Sequence, residues 1–172
     1  GGRGPVRSKP IILSDDTIVA PASIENGHWD AFVDISRDGG LTWEKSALVP
    51  LNRAPQQDVH DARKIELHNA PPGAVVYGKG VIQPTLWESE PGCIHMLIRS
   101  TEGHMYRSES QDGGLTWSLA YPMGLPNNNS GFDVEPVDED TLALIYNPVG
   151  EDWGPRTPLV VSFSSDNGVS WQ

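Results

Sequence analysis

Residues 110–117 read Ser-Gln-Asp-Gly-Gly-Leu-Thr-Trp, and closely similar segments stand at residues 36–43 (Ser-Arg-Asp-Gly-Gly-Leu-Thr-Trp) and 164–171 (Ser-Ser-Asp-Asn-Gly-Val-Ser-Trp). The three segments share Ser-x-Asp-x-Gly-x-[Ser/Thr]-Trp, so five of eight positions are fixed in every copy. Self-similarity of this kind indicates one structural unit used three times. It therefore decides the fold before any single strand is assigned.

Each copy of the motif is predicted to form a hairpin turn. Each follows a short alternating or apolar segment, at residues 31–35, 105–108 and 159–163, as the turn of a hairpin would. The Asp accepts hydrogen bonds from backbone N–H groups of its own turn, and the Trp offers a large apolar body for packing. A Ca²⁺ loop needs a longer series of ligands with an acidic closing residue. We therefore interpret the motif as a structural turn without a catalytic role.

The motif resembles the Asp-box, or BNR repeat, of the sialidase superfamily, whose members fold as β-propellers. The resemblance extends to residues 80–107 (GVIQPTLWESEPGCIHMLIRSTEGHMYR), 124–131 (GLPNNNSG) and 146–150 (YNPVG), and it covers nearly the whole chain. It implies an all-β propeller that acts on glycans. Because relatives with this motif include hydrolases, lyases and sugar binders without activity, the motif is more specific for fold than for activity.

Division into four-stranded blades predicts an all-β propeller segment of about three blades, at residues 9–51, 80–124 and 125–172. The first two motif Asp residues stand 74 positions apart and the last two 54, whereas known propeller repeats need about 40 to 50 residues. We assign the surplus to an insertion or long loop at residues 52–79. The third blade lacks its fourth strand, and propellers have about 4 to 8 blades. We therefore expect self-association, or the remainder of a longer chain, to complete a ring of six blades.

Composition limits the partners that the chain can have. Among 172 residues, 12 Lys and Arg stand against 23 Asp and Glu, and this net charge of -11 argues against a nucleic-acid binder. No apolar stretch reaches the roughly 18 residues of a membrane helix. The single cysteine, Cys93, excludes an intrachain disulfide framework and a Cys-cluster metal site. We expect no metal, cofactor or membrane, and an anionic substrate would need a local group of focused arginines.

Blade topology predicts the face of the propeller on which chemistry lies. The Asp-box turns mark one face, and the loops between strands two and three open onto the opposite face. That face collects amide, guanidinium and aromatic groups suited to sugars, including Trp153. For the asparagines at 127–129, the alternative to contacts with sugar hydroxyls is a crossover held by hydrogen bonds from side chains to the backbone. For each of the other candidates, the alternative to sugar binding is loop capping and solvation. The candidate substrate-binding residues are Arg7, Lys9, Gln83, Asn127, Asn128, Asn129 and Arg156.

Arg99 is the strongest single candidate. It ends the apolar segment 95–98, where an unpaired cation is costly unless it binds an anion or a nearby carboxylate such as Glu102. A structural salt bridge is the alternative. Sialidases hold the substrate carboxylate with three arginines, so the resemblance implies that role for Arg99, with Arg7 and Arg156 as its companions.

Two catalytic schemes and one non-catalytic reading stay open. A retaining sialidase mechanism needs a Tyr nucleophile, a Glu base and an Asp acid/base, for which Tyr146 and Glu25 are the candidates, with Glu102 in reserve. The chain departs from that family because it has no F-R-I-P motif and no clear acid/base Asp. A propeller lyase acting on uronates would use His104 or His60 as its base, although a solvated loop His is the alternative.

We predict an exo-acting glycoside hydrolase of sialidase type on terminal acidic sugars. The alternatives are the uronate-directed lyase and a carbohydrate-binding or assembly module without activity. The resemblance further implies a secreted or periplasmic protein.

Overall fold

The fold is built of β-strands connected by turns and loops. The computed structural model describes residues 7–54 and 75–172, and within those ranges the chain forms eleven strands in three antiparallel sheets and no helix. In each sheet, neighbouring strands follow one another in the chain. The strands are β1 (Ile11–Ile12), β2 (Ile18–Asn26), β3 (His28–Ser36) and β4 (Glu44–Lys45) in the first sheet, β5 (Val81–Glu90), β6 (Cys93–Ser100), β7 (His104–Ser110) and β8 (Tyr121–Pro126) in the second, and β9 (Asp133–Pro136), β10 (Leu142–Tyr146) and β11 (Val160–Ser164) in the third.

The three motifs form the expected turns after β3, β7 and β11. In the first, the Asp38 carboxylate accepts hydrogen bonds from the Thr42 backbone N–H at 2.8 Å and from the Thr42 hydroxyl at 2.6 Å. The Ser36 hydroxyl donates to the same carboxylate and accepts from the N–H of Gly40. These donors lower the pKa of Asp38 to about 2. The motif is therefore a closed hydrogen-bonded turn, as the sequence predicts.

The fourth strand of the second sheet, β8, begins at Tyr121, four residues after the Trp of the motif. Between the turn and β8, Ser118 forms hydrogen bonds with β7: its N–H donates to the Glu109 carbonyl, and its hydroxyl donates to the Glu109 carboxylate. In the third sheet, Gln172 and Phe163 exchange two backbone hydrogen bonds of 2.8 and 2.9 Å, at the place where a fourth strand would begin.

Alternation along β6 joins the three sheets. Ile94, Met96 and Ile98 are fully buried in a core shared with the first sheet. Leu97, which points the other way, is buried in a second core with residues of the third sheet such as Leu144. Burial of each such side chain is worth about 1.5–3 kcal/mol. The second sheet is therefore held on both of its faces.

The outer face of the third sheet is not covered in this way. Leu97 and Arg107, paired across β6 and β7, are 0% and 4% exposed. Ile145 and Val161, the equivalent pair on β10 and β11, are 44% and 51% exposed. The third sheet thus presents an apolar flank at positions that are buried in the second sheet.

The two ends of the predicted insertion at 52–79 meet beside the first sheet. Ala54 donates to the carbonyl of Val76, and Val76 donates to that of Asn52. The Arg53 guanidinium forms an ion pair of 2.6 Å with Asp30. Residues 55–74, which include His60, lie outside the described residues.

Candidate functional site

Arg99 is held by two neutral amides near the end of β6. Its Nε donates to Asn129 Oδ1 at 2.9 Å, and its Nη1 donates to Gln83 Oε1 at 2.8 Å. The guanidinium lies 6.0 Å from the centre of the Trp29 ring. Because both hydrogen-bond acceptors are uncharged, they orient the guanidinium without neutralising it. The alternative partner, Glu102, instead accepts from the backbone N–H groups of residues 77 and 78.

The positive charges of Arg7 and Arg156 act on Arg99. The pKa of Arg99 is lowered, first by burial and then by the positive charge of Arg7, with Arg156 adding to the effect. Glu25 and Asp152 act in the opposite direction. The three arginines come from different places in the chain: Arg7 precedes β1, Arg99 lies in β6, and Arg156 lies in the loop between β10 and β11.

Arg7 also approaches the start of the third sheet. Its guanidinium occupies the space where a side chain on Gly131 would lie. Gly131 follows Asn129, whose amide orients Arg99, by two residues. Because the charges of Arg7 and Arg156 both act on Arg99, the three residues are here called the arginine cluster (Arg7, Arg99 and Arg156). Mutual repulsion within such a group is relieved when an anion binds.

Glu25 is linked to the arginine cluster through Gln83. The Gln83 amide nitrogen donates to Glu25 Oε1 at 3.2 Å, and the Ser23 hydroxyl donates to the same oxygen at 3.1 Å. Gln83 lies at an irregularity of β5 and has a φ of 53°, a strained backbone for a residue with a side chain. This geometry lets one amide contact Glu25 and Arg99 together.

The run of three asparagines builds the crossover between the second and third sheets. The Asn127 side chain accepts from the Ser100 N–H and donates to the Ser130 carbonyl. Asn128 donates to the Pro155 carbonyl at 2.6 Å. For Asn127 and Asn128, these are the side-chain-to-backbone hydrogen bonds expected of a crossover. Asn129 contacts Arg99, while its own Nδ2 is buried without a hydrogen-bond partner.

Lys9 pairs with two carboxylates of the third sheet. Its Nζ lies 3.0 Å from Asp133 and 2.8 Å from Glu135, both on β9. Burial lowers the pKa of Lys9, but the hydrogen bonds to Glu135 and Asp133 outweigh it, so that the pKa is raised. Lys9 thus joins the first sheet to the third.

The remaining candidates have different settings. Tyr146 is 7% exposed in the core shared by the second and third sheets. His104 begins β7 and is exposed, and its carbonyl accepts from the Ser100 hydroxyl. Asp152, which sequence reasoning missed, contributes to the electrostatic environment of Arg99. Asp152 could have been found from the sequence because it lies beside Trp153 in a Gly- and Pro-rich loop on the predicted face.

A cavity of about 520 Å³ lies on the opposite face, between the second and third sheets. Its lining is strongly acidic and would repel an acidic sugar, so it is not the candidate site. The acidic lining comprises Glu88, Glu90, Asp138, Glu139, Asp140 and Asp166.

In the described ranges, no three His, Cys, Asp or Glu residues are placed to hold a metal ion. The described residues also include no helix long and apolar enough to cross a membrane.

A family model described as a BNR repeat-like domain matches residues 2–172. The chain belongs to the BNR repeat-like family. No curated protein matches it. The fold of this BNR repeat-like chain is similar to that of solved sialidases, which confirms the predicted resemblance and the all-β fold class.

Three solved sialidases illustrate the likeness. The Hadza microbial sialidase Hz136 gives a TM-score of 0.68 at 18% identity over 98% of this chain and 29% of that one. NanB sialidase from Streptococcus pneumoniae gives 0.55 at 20% identity over 95% and 22%, respectively. Trypanosoma rangeli sialidase, in complex with the inhibitor DANA, gives 0.61 at 16% over 90% and 23%. The BNR repeat-like chain thus spans less than a third of each of these proteins, and the likeness concerns the fold.

Proposed function

We propose that this chain provides the carboxylate-binding part of a sialidase-type glycoside hydrolase that acts on terminal acidic sugars. The observation that carries the proposal is the Arg99 guanidinium, which Asn129 and Gln83 orient through neutral amides. Burial and then the positive charges of Arg7 and Arg156 lower the pKa of Arg99. The arginine cluster is a local positive site in a chain of net charge -11. The fold shared with solved sialidases supports the proposal.

The arginine cluster has the chemistry that a sugar carboxylate requires. A guanidinium presents N–H donors in a fork that matches the two oxygens of a carboxylate. Gln83 and Asn129 fix the orientation of Arg99 before a ligand arrives, which lowers the entropy lost on binding. Each charge-assisted hydrogen bond contributes about 1.5–3 kcal/mol.

The catalytic roles remain predictions. In the sialidase scheme, the Tyr146 oxygen forms a bond to the anomeric carbon while the bond from that carbon to the glycosidic oxygen breaks, and Glu25 takes the tyrosine proton. The leaving oxygen takes a proton from an acid/base group, for which this sequence offers no clear Asp. Glu25 is connected to Arg99 through one amide, which places a carboxylate next to the proposed carboxylate-binding group. Replacement of Tyr146 by Phe, which preserves its packing, tests the first role. We keep Glu102 and His104 as candidates of lower standing because the contacts described for them lie outside the arginine cluster.

We propose further that additional blades complete the ring. The apolar flank of the third sheet, at Ile145 and Val161, supports this because the equivalent pair of the second sheet is buried by its neighbour. The blades come from a second copy or from the remainder of a longer chain, and light scattering separates the two. A dimer of this chain indicates the former and a monomer the latter. Export from the cytoplasm would follow from action on external glycans.

Hydrolysis of a fluorogenic sialoside tests the proposed function. We expect Arg99→Lys to lower kcat/KM about tenfold to a hundredfold, because lysine cannot reproduce the two bonds and the fork of the guanidinium. Arg37→Lys is the matched control, since Arg37 forms an exposed ion pair with Glu44 on the Asp-box side. Equal kinetics for the two variants would contradict the proposal. Binding without turnover would instead support a sugar-binding module, and an unsaturated product absorbing in the ultraviolet would support a lyase.

A further inference from the structure

Gln83 lies where the regular pairing of β5 with β6 is interrupted. The pairing stops at Ile82, which lies opposite Arg99, and resumes at Thr85, so two residues of β5 face one residue of β6. A bulge of this kind re-aims a side chain and interrupts the ladder. Pro84 follows Gln83 and has no backbone N–H, which removes one donor that the interrupted ladder would otherwise have to satisfy. The bulge thus brings the Gln83 side chain to Arg99.

The backbone of Gln83 is strained. Its φ of 53° lies in the left-handed region, which a residue with a Cβ rarely adopts. Strain of this kind persists only where the surrounding structure holds it, and it concentrates at functional sites. Glycine and asparagine adopt such a backbone more readily than glutamine. The reason for a glutamine at this position therefore lies in its side chain.

Both ends of the Gln83 amide are engaged, each with a group of opposite charge. A guanidinium can only donate, so Arg99 Nη1, at 2.8 Å, fixes Oε1 as the atom that faces it. The Nε2 then faces Glu25 and donates to its carboxylate at 3.2 Å. A glutamate in this place could not donate to Glu25, and an apolar side chain could bond neither group. Glutamine therefore suits a position between a cation and an anion.

Glu25 and Arg99 would attract each other directly if no amide stood between them. The negative charge of Glu25 already acts on Arg99. Both residues are partly buried, and solvent screens such charges less than exposed ones. A direct pair would occupy N–H groups of the guanidinium and cancel its charge. The same N–H groups and the same charge are what a carboxylate ligand requires.

We propose that Gln83 is a positioning residue that keeps Glu25 apart from Arg99, so that the guanidinium stays available to the carboxylate of an acidic sugar. The inference rests on the proposed function, because it explains how the arginine cluster stays open to an anion although a carboxylate lies close by. Gln83 acts through Arg99 and Glu25. The same separation keeps Glu25 available as the proposed base.

A crystal structure of the Gln83→Met variant tests the separation without any ligand. Methionine has an unbranched, flexible side chain like that of glutamine, but it can bond neither charged group. We expect the Glu25 carboxylate to form an ion pair with the Arg99 guanidinium, at an N–O distance of about 4 Å or less. If Glu25 and Arg99 stay apart in the variant as they do in the unmutated chain, the inference is refuted.

Calorimetric titration with N-acetylneuraminic acid tests the consequence for binding. We expect Gln83→Met to weaken binding about tenfold, because Glu25 then competes with the ligand for Arg99. Addition of Glu25→Gln removes the competing charge and should restore the affinity to within about threefold of that of the unmutated chain. A purely structural role of Gln83 would not be reversed by this second change, so a lack of recovery would overturn the inference.

Two further variants complete the test. Gln83→Glu keeps the shape of the side chain and the bond from Arg99, but the introduced carboxylate neutralises the guanidinium, so binding should stay weak with or without Glu25→Gln. If Gln83→Met does not fold, this variant carries the test, and unchanged binding of the acid by Gln83→Glu would refute the inference. Gln111→Met is the matched control, because Gln111 is exposed in the second Asp-box, and its affinity should equal that of the unmutated chain.

The outcomes separate this inference from the proposed function. If the unmutated chain does not bind the acid, the proposed function fails, whereas the crystal structure still decides whether Gln83 separates the two charges. If the acid binds and Gln83→Met binds it as tightly as Gln111→Met does, the positioning role is refuted while the carboxylate site stands.

Discussion

Asn129→Asp changes the charge next to Arg99 with almost no change in shape. The Asn129 oxygen already accepts from Arg99 Nε at 2.9 Å, so a carboxylate there would form an ion pair in the same place. The Nδ2 that would be lost has no hydrogen-bond partner. The variant therefore neutralises one guanidinium of the arginine cluster, and we expect no loss of thermal stability.

The expected effect on binding follows from Coulomb's law. Two carboxylates on the same guanidinium stand about 5 Å apart, and at an effective dielectric constant of about 20 they repel by about 3 kcal/mol. That energy corresponds to a loss of affinity for N-acetylneuraminic acid of about a hundredfold. The loss should become smaller in high salt, because ions screen the repulsion. Calorimetry at two salt concentrations measures both effects.

Asn167→Asp is a close control for this variant. Asn167 also has a left-handed backbone, with a φ of 57° against 59° for Asn129, and it lies in the third Asp-box, where it contacts Trp87. The two variants change the net charge of the chain equally. If Asn129→Asp binds the acid as tightly as the unmutated chain, or if both variants lose affinity equally, Arg99 does not hold the carboxylate.

Two further predictions concern the junction of the second and third sheets. A Cβ on Gly168 (φ 75°) would lie 3.0 Å from buried Trp87, so Gly168→Ala should lower the free energy of unfolding, measured with urea, by about 3 kcal/mol. Gly113 (φ 69°) has no atom within 4 Å of such a Cβ, so Gly113→Ala should lower it by about 1 kcal/mol, and equal losses would contradict this packing. The pKa of His95 is lowered from 6.5, first by burial and then by Arg107, so the unfolded chain binds its proton more readily and stability should fall as the pH drops below 6.5. The melting temperature should therefore decrease from about pH 8 to about pH 5, less so in His95→Gln, and identical pH profiles for the two proteins would refute the role of His95.

Local features of the fold were predictable from the sequence because their causes are local. The Asp38 turn depends on residues within four positions of one another. The place of Arg99 at the end of an apolar strand singled it out as a candidate, and its role in binding a carboxylate stays a prediction. Its partners were less accessible: Gln83 was expected on the same face, but its strained backbone and its bridge between Glu25 and Arg99 depend on the irregularity of β5.

Other features depend on contacts between distant parts of the chain. Lys9 was placed among the substrate-binding candidates, but it pairs with Asp133, 124 residues away. No periodicity in a single sequence shows such a pair. From the sequence, the amides of Asn127 and Asn128 suit both sugar contacts and the hydrogen bonds of a crossover. The structure shows that they bind backbone carbonyls.

The central claim is that the arginine cluster binds the carboxylate of an acidic sugar. Calorimetric titration of the chain with N-acetylneuraminic acid and with its methyl ester tests this most directly, because the ester keeps the sugar and removes the charge. The account predicts that the acid binds and that the ester binds at least about a hundredfold more weakly, since the charge-assisted hydrogen bonds to the guanidinium groups are lost. Equal affinity for the two ligands, or no binding of the acid, would contradict it.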